Sequence, residues 1–145
     1  MQMFTQNPDA VARMRGGEDF ADVYGVARFY RQKEGVLVRV DVCGLPPGRL
    51  FALHIHEGCS CGGEDFGETG RHYNPEECSH PFHAGDLPAL LSTCGWAHLS
   101  VLTDRFRLKD VLGRTVVIHE GPDDFTSQPA GNAGKKIACG VICRR

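Results

Sequence analysis

The chain has 145 residues, the usual length of one domain. Its 41% hydrophobic and 23% charged residues exclude a disordered chain, a collagen and a coiled coil. The formal net charge of -2 gives no reason to expect nucleic acid or an anionic membrane as a partner.

The N-terminal segment, MQMFTQNPDAVARMRG, mixes acidic and basic residues and lacks the apolar run of a secretory signal. We therefore expect a cytoplasmic protein, unless a leader has been removed. Residues 8–14 predict a short helix, because Asp9 falls in its first turn and Gly16 and Gly17 follow its end. We interpret residues 1–20 as an N-terminal extension and residues 21–145 as the domain.

From Asp22 onward the hydrophobic pattern has period two, which is typical of β-strands. VYGVARFYRQ and VLVRVDVCGL flank a turn at Lys33-Glu34-Gly35 and predict a hairpin. Further strands are predicted at RLFALHIHE, WAHLSVL, DRFRLKDVL, GRTVVIHE and KKIACGVIC. Two long polar loops interrupt them, residues 57–91 and GPDDFTSQPAGNAG. The pattern predicts an all-β sandwich or small barrel of short antiparallel strands.

Seven histidines, seven cysteines and 18 glycines favour a metal site in a fold rich in loops. His54 and His56 are separated by one residue on a predicted strand, so their imidazoles share a face. Each histidine alone could be a solvated surface group, and we interpret His98 as an ordinary strand residue. The other candidate ligands are His72, His80, His83 and Asp86 in the 57–91 loop, and His119 at a strand end.

Imidazoles with one carboxylate suit zinc or copper. A loop as long as residues 57–91, without a hydrophobic period, needs something to organise it. A bound ion would do so. The ligand types therefore predict a metal centre between the strands and this loop.

The motifs HIHE, HYNP, HAGDL, GRTVVIHE and GNAG…ACGVI occur in this order over residues 22–143. With them the chain resembles the copper/zinc superoxide dismutases. The resemblance implies an eight-stranded antiparallel Greek-key β-barrel, an immunoglobulin-like sandwich, with its metals on the outside between two long loops. It also implies an enzyme that converts superoxide to oxygen and hydrogen peroxide by cycling between Cu(II) and Cu(I).

The resemblance implies a ligand set that shares one ring between the two metals. Asp123 resembles the carboxylate that bonds one ligand of each metal and thereby orients both rings. The implied ligands are His54, His56, His72 and His119 for copper, and His72, His80, His83 and Asp86 for zinc.

Lys136 occupies the position of an arginine that the family places near copper. A lysine keeps the positive charge but lacks the planar fork of a guanidinium. Lys135 and Lys136 could instead be a solvated pair of charges. The loop before GNAG is also short and carries few charges.

The resemblance further implies a disulfide between the loop after HIHE and Cys139. Its loop partner is Cys61, with Cys59 as the alternative. An odd number of cysteines favours mostly free thiols. A soft metal on Cys59, Cys61 and Cys78 is a further alternative, and we interpret Cys43, Cys94 and Cys143 as buried thiols.

Superoxide is thus the predicted small-molecule substrate, with copper and zinc as cofactors. The alternative is a copper/zinc binding or storage protein with little turnover, which Lys136 and the shortened loop keep open. Family members pair through different surfaces, so the resemblance leaves a homodimer open.

Overall fold

The computed structural model describes residues 6–145. Within that range eight strands alternate with short helical turns and long loops. The strands are β1 (Ala10–Gly16), β2 (Tyr24–Gln32), β3 (Gly35–Cys43), β4 (Leu50–His56), β5 (Asp86–Leu91), β6 (Ala97–Thr103), β7 (Thr115–His119) and β8 (Lys136–Arg144). One α-helix, α1 (Leu108–Val111), and two 3-10 turns, Glu18–Phe20 and Glu64–Thr69, complete the described elements.

The eight strands form one antiparallel sheet in the order β5-β4-β7-β8-β1-β2-β3-β6. β5 and β6 are the outer strands, and a tight turn in which Thr93 and Trp96 bond to each other joins them. The sheet therefore curls into a nearly closed barrel, which confirms the predicted all-β Greek-key fold.

The β2–β3 hairpin carries much of the core, and it was correctly predicted. Gln32 pairs with Gly35 at its turn. Val36, Val38, Val40 and Val42 are all buried on the inner face of β3, because alternate side chains of a strand point to the same side of the sheet.

The helix predicted over residues 8–14 is wrong, because this segment forms β1. Ala10, Ala12 and Met14 are fully buried at alternate positions, and β1 is hydrogen-bonded to β2 on one side and β8 on the other. Local helix propensity is a weak preference that pairing with two strands overrides. β1 lies within residues 1–20, the predicted extension.

The strand predicted at DRFRLKDVL is also wrong. Leu108 and Val111 are buried one helical turn apart on α1, so the apolar residues follow a helical and not an alternating period. β5 lies inside the 57–91 segment, where no strand was predicted. Pro88 lies in this strand, and proline is confined to edge strands because it cannot donate a ladder hydrogen bond.

The prediction that Cys43, Cys94 and Cys143 are buried is wrong. Cys43 is half-buried, and Cys94 and Cys143 are exposed. Cys94 lies in the turn between β5 and β6. On β8 the buried position is Ile142, so the alternation places Cys143 outside.

The only α-helix in residues 6–145 has four residues, and no helix there is long and apolar enough to cross a membrane.

Candidate metal centre

The alternation of side chains on β4 positions the first two histidines of the centre. Leu53 and Ile55 point into the barrel core, so His54 and His56 point outward. β7 pairs directly with β4 and ends at His119, which places a third imidazole beside them. All three histidines are nevertheless buried, because the two long loops cover this part of the barrel wall.

The 57–91 loop folds back onto β4 through backbone hydrogen bonds. Ile55 donates to Gly85 O at 2.8 Å, and Tyr73 donates to Ile55 O at 2.8 Å. His72 forms an isolated bridge with His56. These bonds hold the loop histidines against the strand histidines.

The second long loop reaches His80. Its Gln128 side chain accepts a hydrogen bond from the His80 N–H and donates one to His80 O, each at 2.8 Å. The two loops are therefore joined to each other above β4 and β7.

The structure brings all seven predicted ligands into one buried cluster. Ligand atoms lie within 4.8 Å of one another in each of two groups, and His54 and His72 belong to both. The groups are His54, His56, His72 and His119, and His54, His72, His80 and Asp86. His83 adjoins the second group, with its Nδ1 3.2 Å from His72 Nδ1. His98 lies apart on β6, exposed and hydrogen-bonded to Asp41.

The orientations of His56 and His119 fit a cation bound between them. His56 Nδ1 donates to Gly70 O at 2.9 Å, and His119 Nδ1 donates to Gly134 O at 3.1 Å. A neutral imidazole carries one N–H, so each Nε2 bears a lone pair. These two Nε2 atoms face each other at 3.1 Å. Two lone pairs at that distance repel unless a cation lies close to both.

The Asp123 carboxylate bonds one histidine of each group. His54 Nε2 donates to its Oδ2 at 2.8 Å, and His80 Nε2 donates to its Oδ1 at 2.7 Å. The Nδ1 atoms of both rings therefore carry lone pairs, and neither forms a hydrogen bond. His80 Nδ1 lies 3.1 Å from Asp86 Oδ2, which is also a lone-pair atom. Unpaired buried polar atoms are costly, so their presence here fits metal ligands.

His72 is placed to share its ring between the two groups. Its Nδ1 lies 2.9 Å from Asp86 Oδ1, whereas its Nε2 is buried without a partner. The two ring nitrogens thus point to different sides, Nδ1 toward His83 and Asp86 and Nε2 toward the strand histidines.

Burial keeps the strand histidines neutral, as metal binding requires. Burial lowers the pKa of His56 to about 2 and, with the neighbouring His54, the pKa of His119 to about 3. Burial alone would raise the pKa of Asp123, but the hydrogen bonds from His54 and His80 lower it below its ordinary value. The carboxylate therefore stays charged and the rings stay uncharged.

Gly131, in the GNAG motif, closes over the pair formed by Asp123 and His80. A Cβ at this position would overlap Asp123 Oδ1, and its φ of 69° suits glycine. This contact is a physical reason for glycine at the first position of the motif.

A cavity of about 440 Å³ opens onto the cluster. Its lining includes His56, His72 and His119 together with Lys136 and Arg71. Lys136 is half-buried, whereas Lys135 forms surface ion pairs with Asp19 and Asp65. The predicted solvated pair therefore describes Lys135 only.

The predicted disulfide between Cys61 and Cys139 is present and links the 57–91 loop to β8. Cys59 and Cys78 are free and exposed. With Cys61 in the disulfide, a soft-metal site on these three cysteines does not form.

Residues 23–142 match the family described as copper/zinc superoxide dismutase (SODC). The chain belongs to this family. A superoxide dismutase [Cu-Zn] 2 of Aquifex aeolicus is 38% identical, over 96% of this chain and 89% of that protein. The solved Cu/Zn superoxide dismutase from Brucella abortus has a TM-score of 0.77 and 26% identity, over 92% of this chain and 99% of that one.

A copper chaperone for superoxide dismutase from Rattus norvegicus is also similar, with 35% identity over 93% of this chain but only 53% of the chaperone. Copper and zinc are the metals that the family implies, and the buried donors of this chain fit both. Imidazole and carboxylate are ligands that zinc accepts, and imidazole suits copper.

The sequence did not predict the groups that form hydrogen bonds to the ligands and to Lys136. The carbonyls of Gly70 and Gly134 orient His56 and His119, and Thr69 bonds Lys136. A backbone carbonyl has no signature in sequence. The only sequence signal at Thr69 is that it is a polar residue close to the HYNP motif.

Proposed function

We propose that this chain is a copper/zinc superoxide dismutase, which converts two superoxide ions and two protons to oxygen and hydrogen peroxide. The observation that carries the proposal is the set of buried lone pairs that face one another in two groups sharing His72. The family membership supplies the reaction.

We propose one metal for each group of donors, and the orientations of the ring nitrogens support this division. His72 would serve both metals, with Nε2 toward copper and Nδ1 toward zinc. The remaining copper ligands would be His54 Nδ1, His56 Nε2 and His119 Nε2, and the remaining zinc ligands His80 Nδ1, His83 Nδ1 and the Asp86 carboxylate.

A bound copper ion would supply the one-electron redox chemistry that this reaction needs, which zinc cannot supply. His72 Nε2 is suited to hold the proton that the peroxide product needs, because it is the one buried nitrogen of that ring without a hydrogen-bond partner. Asp86 and His83 hold the other side of the ring through Nδ1. The ring therefore keeps its place when Nε2 is protonated.

Asp123 fixes His54 and His80 at one distance from each other, and so couples the two groups of ligands. Partners of this kind fix the tautomer and the orientation of a ligating imidazole. Gly131 leaves room for this carboxylate.

Superoxide is a small anion, and the cavity lining carries two cations, Lys136 and Arg71, beside two carboxylates, Glu57 and Glu77. Lys136 and Arg71 line the cavity beside His56 and His119. We propose that Lys136 attracts and holds the anion in place of the usual arginine. Arg71 is mostly exposed and lies 3.5 Å from Glu57, so part of its charge is compensated.

A second candidate function is copper binding or delivery with little turnover. The similarity to the copper chaperone favours it, and so does the lysine that replaces the family's arginine. Both functions would use the same ligands, so only turnover separates them.

Stopped-flow loss of superoxide, measured on protein loaded with both metals, tests the proposal. We expect a rate per copper far above that of free copper ions, which a chelator added to the assay would not abolish. A rate equal to the metal-free protein's, at full copper and zinc content, would instead support storage or delivery.

We also propose that the protein is cytoplasmic and that it forms a homodimer. Five free cysteines support the location, because free thiols persist in reducing compartments. Alkylation of thiols before cell lysis tests whether Cys61 and Cys139 are paired there, and sedimentation of the purified protein gives its oligomeric state.

A further inference from the structure

We infer that the hydroxyl of Thr69 fixes the ammonium of Lys136 at the cavity wall, so that Thr69 is a positioning residue for the anion. The inference rests on the proposed function. It concerns a residue outside the ligand set and the position where this chain departs from the family's arginine.

Two acceptors hold the Lys136 ammonium. Nζ donates to Thr69 Oγ1 at 2.7 Å and to Gly70 O at 3.0 Å. An ammonium has three N–H groups, and among residues 6–145 no third acceptor bonds this one. One N–H therefore remains for an anion in the cavity that His56 and His119 also line.

Thr69 is itself held firmly. Its side chain is completely buried, and its hydroxyl donates to Phe66 O at 2.8 Å. Since that hydroxyl proton is engaged, the oxygen can only accept from Lys136. The Thr69 carbonyl also accepts a hydrogen bond from the Gly58 N–H at 2.7 Å. These bonds fix the position of Thr69 Oγ1, so it does not move when the Lys136 side chain moves.

A lysine needs such an acceptor more than an arginine does. Its four-carbon stem is flexible and its charge is a point, whereas a guanidinium presents donors in a fixed fork. Two fixed acceptors restrict Nζ to one place and leave one donor pointing away from them. We infer that they give this lysine the fixed geometry that the fork gives an arginine.

Lys135 shows the contrast within the same chain. It pairs with Asp19 and Asp65 at 3.4 and 3.5 Å, and these groups are largely exposed. Exposed pairs of this kind contribute little fixed geometry. Lys135 is therefore a suitable internal reference for the behaviour of Lys136.

The first test measures the ammonium directly, without catalysis. The chain has four lysines, Lys33, Lys109, Lys135 and Lys136, so ¹⁵N NMR of their ammonium groups is tractable in the zinc-loaded, copper-free and hence diamagnetic protein. We expect Lys136 to show the most restricted motion. Thr69→Val, which keeps the shape, should remove that restriction, and Thr69→Ser should keep it.

The second test is a double-mutant cycle on kcat/KM for superoxide in protein matched for copper and zinc. Thr69→Val should lower kcat/KM by about threefold to tenfold, the usual range for one hydrogen bond. Thr69→Ser should restore most of the loss. In a Lys136→Met background Thr69→Val should have no further effect, because its action passes through the lysine.

Unchanged Lys136 motion in Thr69→Val would overturn the inference, and so would an equal loss of kcat/KM in the Lys136→Met background. Thermal unfolding of Thr69→Ser shows whether the site accepts substitution at all. If the wild-type chain does not turn over superoxide, the proposed function fails, while the NMR measurement still decides whether Thr69 holds Lys136.

Discussion

His56 and His119 face each other through their Nε2 atoms at 3.1 Å, and each ring gives its only N–H to a backbone carbonyl on the far side. The two rings come from neighbouring strands, β4 and β7, and the two carbonyls come from the two long loops. The barrel thus supplies the ligands and the loops set their direction. A cation is the partner that relieves this arrangement best.

The metal-free protein should lose stability as the pH falls from 6.5 toward 3. Burial holds the pKa of His56 at about 2 and that of His119 at about 3, against 6.5 for the ordinary group. In this window the unfolded chain binds protons that the folded chain excludes, so the free energy of unfolding decreases as the pH decreases. The slope is up to about 1.4 kcal/mol per pH unit for each histidine. Urea unfolding at several pH values measures it.

The stabilisation that comes from keeping His56 and His119 neutral is fully present above pH 6.5. His119→Gln removes one of the two groups and should make the slope shallower. His98→Gln is the matched control, since His98 is exposed on β6 and lies outside the metal centre, and we expect the slope to change more in His119→Gln than in this variant. A metal-free protein equally stable at pH 7 and pH 4 would contradict the prediction.

His119→Ala should abolish copper binding and superoxide turnover while zinc and fold are retained. His119 belongs to the group of four histidines and not to the group that contains His80 and Asp86. Metal content by mass spectrometry and circular dichroism measure the outcome. Loss of the fold, or of zinc together with copper, would show that its role is structural.

Asp123→Asn should weaken zinc binding by about tenfold to a hundredfold, the usual effect of losing such a partner. An amide can accept from one ring but cannot serve both His54 and His80 as the carboxylate does. Competition with a zinc chelator measures the affinity. Asp124→Asn is the control, because the Asp124 carboxylate bonds Thr126 and Ser127 of its own loop and, within residues 6–145, no hydrogen bond joins it to a histidine. Equal affinities in the two variants would refute the coupling.

Cys61→Ser should lower the free energy of unfolding by about 2–4 kcal/mol, because the bond to Cys139 closes a long loop. The two cysteines are 78 positions apart. Cys59→Ser removes a free, exposed thiol two positions away and should change stability by no more than about 0.5 kcal/mol. Denaturant unfolding of the zinc-loaded variants makes the comparison. The reverse ranking would mean that Cys59 is the real partner.

The ligand positions of the centre could be predicted because metal chemistry restricts them to a few residue types. His54-x-His56 places two rings on one face of a strand whatever the rest of the chain does. The groups behind the ligands could not be predicted, because Gly70 O and Gly134 O take part through their backbone. Only the folded loops bring these carbonyls to the rings.

The barrel strands with a clear alternation were also predictable, as the valines of β3 show. The helix predicted over residues 8–14 rests on Asp9 as its start and on Gly16 and Gly17 as its end, and these local signals do not contain the pairing with β2 and β8 that makes this segment a strand. β5 was missed since Pro88 interrupts a short sequence. Its place is set by pairing with β4, which a local pattern does not contain.

β5 packs beside β6 at the seam of the barrel, but among the described strands it forms ladder hydrogen bonds only with β4. Its first residue is Asp86, whose carboxylate reaches His72 and His83. An ion held there anchors the end of a strand that has only one bonded neighbour. Removal of zinc should therefore free β5 first, so that amide hydrogen exchange along this strand reports the occupancy of a site on the barrel's outer wall.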